Sequence, residues 1–302
     1  MNKHNFIDLR DYDKDTLLKI IKRGVEFKGG VSPKDCSGKA LAMIFTKAST
    51  RTNVSFQRAI QKLGGEAIYL GAESLQLSRG ETIGDTAKTL SRYVDCIMIR
   101  TYSHRDVLDL AEAATVPVIN GLTDLLHPCQ ALGDMMSITE VKGMEYENIK
   151  VAYIGDGNNV CHSLINAAGI FGFELVVACP DAYRPDSSIV ELMREKNSAI
   201  RITEDPVDAV KSADVVYTDV WVSMGDDDAK SSEKHSFAQY QVNNKLLGNA
   251  KPDVMVLHCL PAHRGEEITD DVIDGMNSYV FDQAENRMHI QEAILEYLLC
   301  VE

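Results

Sequence analysis

A polar run between an apolar segment and a helical pattern is the strongest constraint on how this 302-residue chain can fold. The apolar run from Ala40 to Phe45 predicts a buried strand, and Ser49-Thr50-Arg51-Thr52 follows it closely. Apolar residues then recur at helical spacing until Gly64-Gly65 ends the pattern. The free N–H groups at the start of such a helix, together with a guanidinium, favour an anion such as phosphate.

The polar run has a second interpretation, because a Ser-Thr pair in front of a helix is more often only a helix cap. Three later segments favour the anion-binding interpretation. Each follows an apolar strand-like run and places polar side chains where strands of an open α/β sheet end, which is where such sheets bind ligands. These segments are His127-Pro128-Cys129-Gln130, Asp219-Val220-Trp221-Val222-Ser223-Met224-Gly225 and His258-Cys259-Leu260-Pro261-Ala262.

Short β-branched runs alternate with helical patterns along almost the whole chain, which predicts the α/β class with parallel sheets covered by helices on both faces. A polar break at 142–148, after which the alternation restarts, predicts two doubly wound domains linked by helices, 1–143 and 144–286. The predicted strands are Leu41–Phe45, Ala67–Leu70, Cys96–Arg100, Val116–Asn120, Val151–Gly155, Leu175–Cys179, Val215–Thr218, Met255–His258 and Tyr279–Phe281. The predicted helices include Asp13–Lys28, Thr82–Tyr93, Asp106–Ala114, Gln130–Val141, Val160–Phe171 and Met288–Cys300, and Gly225–His235 is predicted to be a surface loop.

Composition and charge limit the classes of partner. The chain is 45% hydrophobic and 25% charged, which is typical of a soluble globular protein. Its net charge of −14 argues against binding to nucleic acid, which requires a broad basic face. Positive charge for an anionic ligand must therefore be local, and Arg51, Arg100 and Arg287 are the candidates. No signal-peptide core and no run of 18 apolar residues is present, so we expect a cytoplasmic protein without a membrane partner.

The cysteines predict neither a disulfide framework nor a zinc knuckle. They are odd in number, scattered and without a C-x-x-C pair, so we expect mostly small buried side chains. The seven are Cys36, Cys96, Cys129, Cys161, Cys179, Cys259 and Cys300.

Cys259 suggests two other kinds of site, a thiol nucleophile and a zinc site, and the turn at Gly155 suggests a dinucleotide-binding site. A thiol nucleophile paired with His258 is not favoured, because neighbouring residues of a strand point to opposite sides. A zinc site made of these two residues and His263 has no fourth ligand at a recognised spacing. The turn Gly155-Asp156-Gly157-Asn158-Asn159 fails the dinucleotide-binding pattern, because Val160 stands where a third glycine is required. We therefore expect no metal and no cofactor.

The four polar motifs, in this order, resemble those of the aspartate/ornithine transcarbamylase family, and the resemblance runs from the first helix to Asn286-Arg287. It implies an enzyme that transfers a carbamoyl group from carbamoyl phosphate to an amine and releases phosphate. It also implies that 1–143 binds carbamoyl phosphate, that 144–286 binds the amine, and that the last helix, 287–302, packs on the first domain. Ser-Met-Gly after Asp-x-Trp resembles the ornithine-specific members, which implies conversion of L-ornithine to L-citrulline in arginine biosynthesis. A homotrimer is implied as well.

The resemblance also implies the role of each site residue. Ser49, Thr50 and Arg51 would hold the phosphate, while Gln76 would reach the site of a neighbouring subunit. The implied ligands of carbamoyl phosphate are Ser49, Thr50, Arg51, Thr52, Gln76, Arg100, His127, Gln130, Cys259, Leu260 and Arg287. The implied ligands of ornithine are Asn159, Asp219, Ser223 and Met224, and the implied catalytic residues are Arg100, His127, Asp219 and Cys259.

The chain departs from the family at two positions, where Asn53 and Gln57 replace the usual Arg and Glu. Because these positions are i, i+4 neighbours on one helix, we predict that a neutral amide pair replaces an ion pair. Two alternative functions remain open from the sequence. One is carbamoyl transfer to another amine such as putrescine, and the other is a catalytically silent anion-binding paralogue.

Overall fold

The computed structural model describes residues 4–75, 80–221 and 231–300. The chain forms two compact units, one of Met1–Met136 with Asn286–Glu302 and the other of Ser137–Glu285. The chain passes from one unit to the other at 136/137 and again at 285/286, and both positions lie inside helices. The domain boundary at 143/144 therefore stays a prediction from the sequence. Within the described residues, no helix has both the length and the apolar character needed to cross a membrane.

The first unit is built on a parallel sheet of four strands in the order β2-β1-β3-β4. The strands are β1 Ala40–Phe45, β2 Glu66–Gly71, β3 Cys96–Arg100 and β4 Val118–Leu122. The helices are α1 Lys14–Lys28, α2 Thr50–Lys62, α3 Ile83–Leu90, α4 His104–Ala113 and α5 Pro128–Lys142, the last of which continues into the second unit. Short 3-10 helices occupy Leu9–Asp11 and Ala72–Ser74.

The inner strands of this sheet are apolar throughout because both of their faces are covered. Every residue from Leu41 to Phe45 is at most 2% exposed. Ala42 and Ile44 pack with residues of β3, α3 and α4 in one apolar cluster, and their strand neighbours face the opposite side. The polar residues of the site therefore come directly after the strands, where the chain leaves the core.

The second unit contains a parallel sheet of five strands in the order β7-β6-β5-β8-β9. The strands are β5 Lys150–Ile154, β6 Glu174–Ala178, β7 Ile200–Thr203, β8 Val215–Thr218 and β9 Met255–His258. The helices are α6 Asn159–Phe171, α7 Ser187–Arg194, α8 Pro206–Val210, α9 Asn244–Leu247, α10 Asp270–Ile273 and α11 Val280–Leu299, and 3-10 helices occupy Tyr146–Asn148, Asp181–Tyr183 and Ser231–Tyr240. The predicted fold class, with two parallel-sheet domains of the α/β type, is confirmed.

The C-terminal part of α11 packs on the first unit, as predicted. Arg23 of α1 makes a two-pronged ion pair with Glu296, with N–O distances of 2.8 and 2.9 Å. The backbone N–H of Lys34 donates to the same carboxylate at 2.6 Å. Burial opposes the charged form of Glu296, but these hydrogen bonds outweigh burial and lower its pKa. Lys62 of α2 makes a second ion pair with the helix, to Glu292 at 2.8 Å.

Three predictions about secondary structure are wrong. Tyr279–Phe281 is not a strand, because the chain makes one bridge between Ser278 and Val256 and then enters α11 at Val280. This helix consequently starts eight residues before the predicted Met288. Of the predicted loop Gly225–His235, residues 225–230 lie outside the described residues, and the part from Ser231 onwards belongs to a 3-10 helix. The short edge strand β7 was not predicted.

The cysteines differ from expectation at one pair. Cys36 and Cys300 are joined by a disulfide across 264 residues of sequence. No local spacing signals such a bond, because it depends on the return of the C-terminal helix to the first unit. Cys96, Cys129, Cys161 and Cys179 are free and buried, as predicted.

The ion pair of Glu296 provides a test of how the last helix is held. Glu296→Gln should lower the free energy of unfolding at pH 7 by about 1.5–3 kcal/mol, because charged hydrogen bonds are lost in a nearly buried place. Since the folded pKa of Glu296 lies below its ordinary value of 4.5, its stabilisation is present above that pH and is lost as the pH falls further. The difference between the two proteins, measured by urea unfolding, should therefore shrink below about pH 4.5.

Glu26→Gln is the matched control, because Glu26 pairs with the same Arg23 but is 37% exposed at its side chain. We expect it to cost less than about 1 kcal/mol. Equal losses in the two variants would contradict the assignment of Glu296 as the main anchor.

Candidate active site

The polar run after β1 forms the start of α2. Ser49 has an extended backbone and caps the helix, with its hydroxyl accepting from the N–H of Thr52 at 3.2 Å. The first turn of α2 contains no acidic residue that would neutralise the positive end of the helix. Thr50 is exposed and Arg51 is half-buried, and the Arg51 guanidinium makes no hydrogen bond or ion pair with any described residue. The predicted helix cap and the predicted anion cradle thus use the same residues.

Thr52 joins three distant segments of the first unit. Its hydroxyl oxygen accepts from Arg100 at 3.2 Å and from Arg287 at 2.7 Å, and all three residues are buried. Arg100 ends β3 next to Phe45 of β1, whereas Arg287 comes from α11. Two guanidinium groups therefore meet beside the start of α2.

His127 lies directly before α5 and is 3% exposed. Burial, followed by the positive charges of Arg287, Arg100 and Lys47, lowers the pKa of this imidazole well below its usual value of 6.5. His127 is therefore neutral at pH 7 and can donate one hydrogen bond without adding a further positive charge.

Gln130 lies in the first turn of α5 and is 1% exposed. Its backbone N–H donates to the carbonyl of His127 at 3.1 Å, and its side-chain nitrogen donates to Asp134 at 2.8 Å. Six predicted residues are thus close along the chain or in direct contact within the first unit: Ser49, Thr52, Arg100, His127, Gln130 and Arg287.

In the second unit, three neighbouring strands end in the same row. Ile154 of β5 pairs with Thr218 of β8, which pairs with His258 of β9. The residues that follow β8 and β9, Asp219 and Cys259, therefore meet at this edge, and the thiol lies 2.9 Å from the Asp219 carboxylate. Asp219 is 6% exposed and also accepts from the backbone N–H of Val220 at 2.8 Å.

Asn158, the neighbour of the predicted Asn159, belongs to this cluster. Its side-chain nitrogen donates to Asp219 at 2.8 Å, while its oxygen caps α6 by accepting from the N–H groups of Val160 and Cys161. Asn159 is the first residue of α6 and is half-buried. The sequence signal for Asn158 was its place as a cap in front of the helix.

The prediction that His258 points away from Cys259 is wrong. Atoms of Asp219, His258 and Cys259 that could bind a metal lie within 4.8 Å of one another, because strand alternation ends where β9 ends. However, one ring nitrogen of His258 accepts from the N–H of Leu260 at 2.9 Å, and the other lies 3.1 Å from Glu267. Since both nitrogens are engaged, this imidazole has no lone pair for a metal ion.

Some predicted site residues are not tested by this geometry. Gln76, Ser223 and Met224 lie outside the described residues. Leu260 is half-buried with a positive φ of 60°, which is unusual for leucine, and it packs against the core of the second unit. Residues that were not predicted but contact the predicted ones are Lys47, Asp134 and Asn158.

The predicted pair of Asn53 and Gln57 is confirmed. The side-chain nitrogen of Gln57 donates to the oxygen of Asn53 at 2.6 Å on α2. A neutral amide pair therefore links two successive turns of α2, and neither of its members adds a charge to this helix.

Arg51 provides a direct test of the anion cradle. Arg51→Ala should weaken the binding of inorganic phosphate, measured by calorimetry, by at least about tenfold, because a charged hydrogen-bond donor is lost. The thermal midpoint should stay unchanged, since the guanidinium makes no hydrogen bond or ion pair with the described residues. Arg58→Ala is the matched control on the same helix, where an exposed guanidinium donates to Gln61. Similar affinities of the two variants for phosphate would contradict the assignment of Arg51 to the anion-binding site.

Two domain families match this chain across most of its length. Residues 4–140 match the carbamoyl-P binding domain of aspartate/ornithine carbamoyltransferase, and residues 147–298 match its Asp/Orn binding domain. The anabolic ornithine carbamoyltransferase of Pyrococcus furiosus is 52% identical over 299 residues, which cover 96% of this chain and 95% of that protein. The ornithine carbamoyltransferase of Anoxybacillus flavithermus is 51% identical, with 98% of this chain and 96% of that protein covered.

Solved structures give the same result. Ornithine carbamoyltransferase from Pyrococcus furiosus superposes with a TM-score of 0.92, covering 97% of this chain and 96% of that one at 52% identity. Anabolic ornithine carbamoyltransferase from Campylobacter jejuni gives a TM-score of 0.93 at 39% identity, with 97% and 98% of the two chains covered. From its sequence, its fold and the residues gathered at its strand ends, this chain belongs to the aspartate/ornithine carbamoyltransferase family.

Proposed function

We propose that this enzyme transfers the carbamoyl group of carbamoyl phosphate to the side-chain amine of L-ornithine and releases L-citrulline and phosphate. One observation carries the proposal: Arg100 and Arg287 both donate to the hydroxyl of Thr52. The preceding residue, Arg51, has a guanidinium that makes no hydrogen bond or ion pair with any described residue. The names and high identity of the relatives support ornithine as the amine.

The cationic cluster, which consists of Arg51, Arg100 and Arg287, would bind both polar ends of carbamoyl phosphate. Ser49, Thr50 and Arg51 would hold the phosphate at the start of α2, where backbone N–H groups are free. Thr52, Arg100 and His127 would donate to the carbonyl oxygen. Negative charge develops on that oxygen during attack, and one donor aimed at it is commonly worth about 3–4 kcal/mol in the transition state.

The neutral state of His127 suits this role. A charged imidazolium beside two guanidinium groups would be repelled, which is one reason why its pKa is low. A neutral imidazole can still donate to the developing oxyanion, and it does not compete with Arg51 for the phosphate. We therefore assign His127 as a hydrogen-bond donor and not as a general acid.

In the second unit, Asp219 and Cys259 would orient the amine. Held by Asn158 and Val220, the Asp219 carboxylate would accept from the ammonium groups of ornithine. The attacking nitrogen must first release one proton to the solvent, since an alkylammonium has a pKa of about 10.4. The nitrogen then bonds to the carbonyl carbon, the bond from that carbon to the phosphate oxygen breaks, and the departing phosphate takes the remaining proton.

We further propose that the reaction serves arginine biosynthesis, because the relatives from Pyrococcus furiosus and Campylobacter jejuni are named anabolic. The proposed location is the cytoplasm. A homotrimer is the proposed assembly. The edge strand β2 supports it, since Ile68 and Tyr69 are 42% and 46% exposed there. Light scattering after gel filtration should give three times the chain mass of 33.4 kDa. Tyr69→Lys should shift the mass towards monomer, whereas a monomeric starting protein would rule the trimer out.

The choice of amine is tested with the purified enzyme and carbamoyl phosphate. Citrulline should form from ornithine, and putrescine should be carbamoylated at least about a hundredfold less efficiently. The reason is that a site built to hydrogen-bond the α-amino and α-carboxylate groups is left with unpaired polar atoms by a diamine. Values of kcat/KM from a colorimetric ureido assay decide the question. Comparable values for the two amines would overturn ornithine as the substrate, and inactivity with ornithine, putrescine and aspartate would favour a silent paralogue.

A further inference from the structure

The amide of Gln130 is fixed by a carboxylate of its own helix. Gln130 and Asp134 lie four residues apart on α5, so they occupy one helix face. The side-chain nitrogen of Gln130 donates to Asp134 at 2.8 Å, and the two residues are 1% and 0% exposed. Such a bond, shielded from water, holds the amide in one orientation.

The chemistry of Asp134 decides which way the amide turns. A carboxylate only accepts hydrogen bonds, so the nitrogen of Gln130 must face it and the oxygen must face away. That oxygen is buried and has no hydrogen-bond partner among the described residues. A buried acceptor without a donor is costly, and such an atom in a native structure calls for an explanation.

The place of Gln130 indicates which donor would satisfy this oxygen. Gln130 lies in the first turn of α5, and its backbone N–H donates to the carbonyl of His127. The pKa of the His127 imidazole is lowered by burial and then by the nearby charges of Arg287 and Arg100. Under the proposed function, this region holds carbamoyl phosphate. The carbamoyl group carries two N–H donors that an acetyl group lacks.

The family resemblance implies that the oxygen of Gln130 accepts from the amino group of the carbamoyl group and so distinguishes it from an acetyl group. We propose that Asp134 is the positioning residue for this contact, because it holds the Gln130 amide with its oxygen, and not its nitrogen, turned towards the ligand. The inference rests on the proposed function. With the amide reversed, its nitrogen would face the N–H groups of the substrate, and two donors would oppose each other.

The test compares carbamoyl phosphate with acetyl phosphate, in which a methyl group replaces the amino group. The preference is the ratio of their dissociation constants, measured by calorimetry without the amine. Asp134→Asn keeps the shape but can donate as well as accept, so it allows both amide orientations. We expect the preference for carbamoyl phosphate to fall by about tenfold, which is the scale of one buried hydrogen bond.

Several variants separate positioning from a structural role. Asp134→Glu still only accepts, so it should keep most of the preference. Gln130→Met removes the amide, and adding Asp134→Asn to it should cause no further fall in the ratio. Asp109→Asn removes an exposed carboxylate of α4 that pairs with Arg105, and it should leave the ratio unchanged. If Asp134→Asn does not fold, Asp134→Ser offers a second neutral side chain that both donates and accepts.

The outcomes are distinguishable from failure of the proposed function. A wild-type enzyme that forms citrulline while Asp134→Asn keeps the full preference would overturn the role of Asp134 alone. Equal weakening of both ligands in Asp134→Asn would also overturn it, since a structural defect does not change the ratio. A wild-type enzyme that forms no citrulline and does not bind carbamoyl phosphate would overturn the proposed function itself.

Discussion

The hydroxyl of Thr52 is the point on which the first unit depends. It accepts hydrogen bonds from Arg100 and Arg287 and so brings two like charges close together. These residues are separated by 48 and 235 positions from Thr52, so the contact requires β3, α2 and α11 to be in place together. The ion pair of Glu296 with Arg23 holds the same helix on α1. The cationic cluster is therefore a product of the whole unit and not of one loop.

This cluster resolves an apparent conflict between a charge of −14 and an anionic ligand. Net charge acts over the whole surface and is screened within about 8–10 Å in physiological salt, whereas buried groups are screened much less. Arg100, Arg287 and His127 are all below 8% exposed. The field of the two guanidinium groups is consequently local and strong, and it adds to burial, the main cause, in lowering the pKa of the neutral His127. A dianionic phosphate would relieve the repulsion between the two guanidinium groups.

The second unit holds the carboxylate of Asp219 in a fixed orientation. Asp219 accepts from a backbone N–H, an amide and a thiol, so its charge is spread over three partners. The alignment of β5, β8 and β9 brings these partners to one edge. Nearby, the His258 imidazole bridges the N–H of Leu260 and the Glu267 carboxylate, which fixes the turn that carries Cys259. Both networks lie where β8 and β9 end.

The sequence alone determined the features that have a local physical cause. Apolar runs fixed eight of the nine described strands, helix caps such as Ser49 followed from their side chains, and the pair of Asn53 and Gln57 followed from helical spacing. The half-exposed edge strand β7 and the early start of α11 were missed, because their patterns are short and their pairing is decided by neighbours. Only the tertiary structure decided the contacts of Thr52 with Arg287, of Asn158 with Asp219 and of Cys36 with Cys300. Each joins segments far apart in the chain, and no periodicity encodes which distant residues will meet once the strands have aligned.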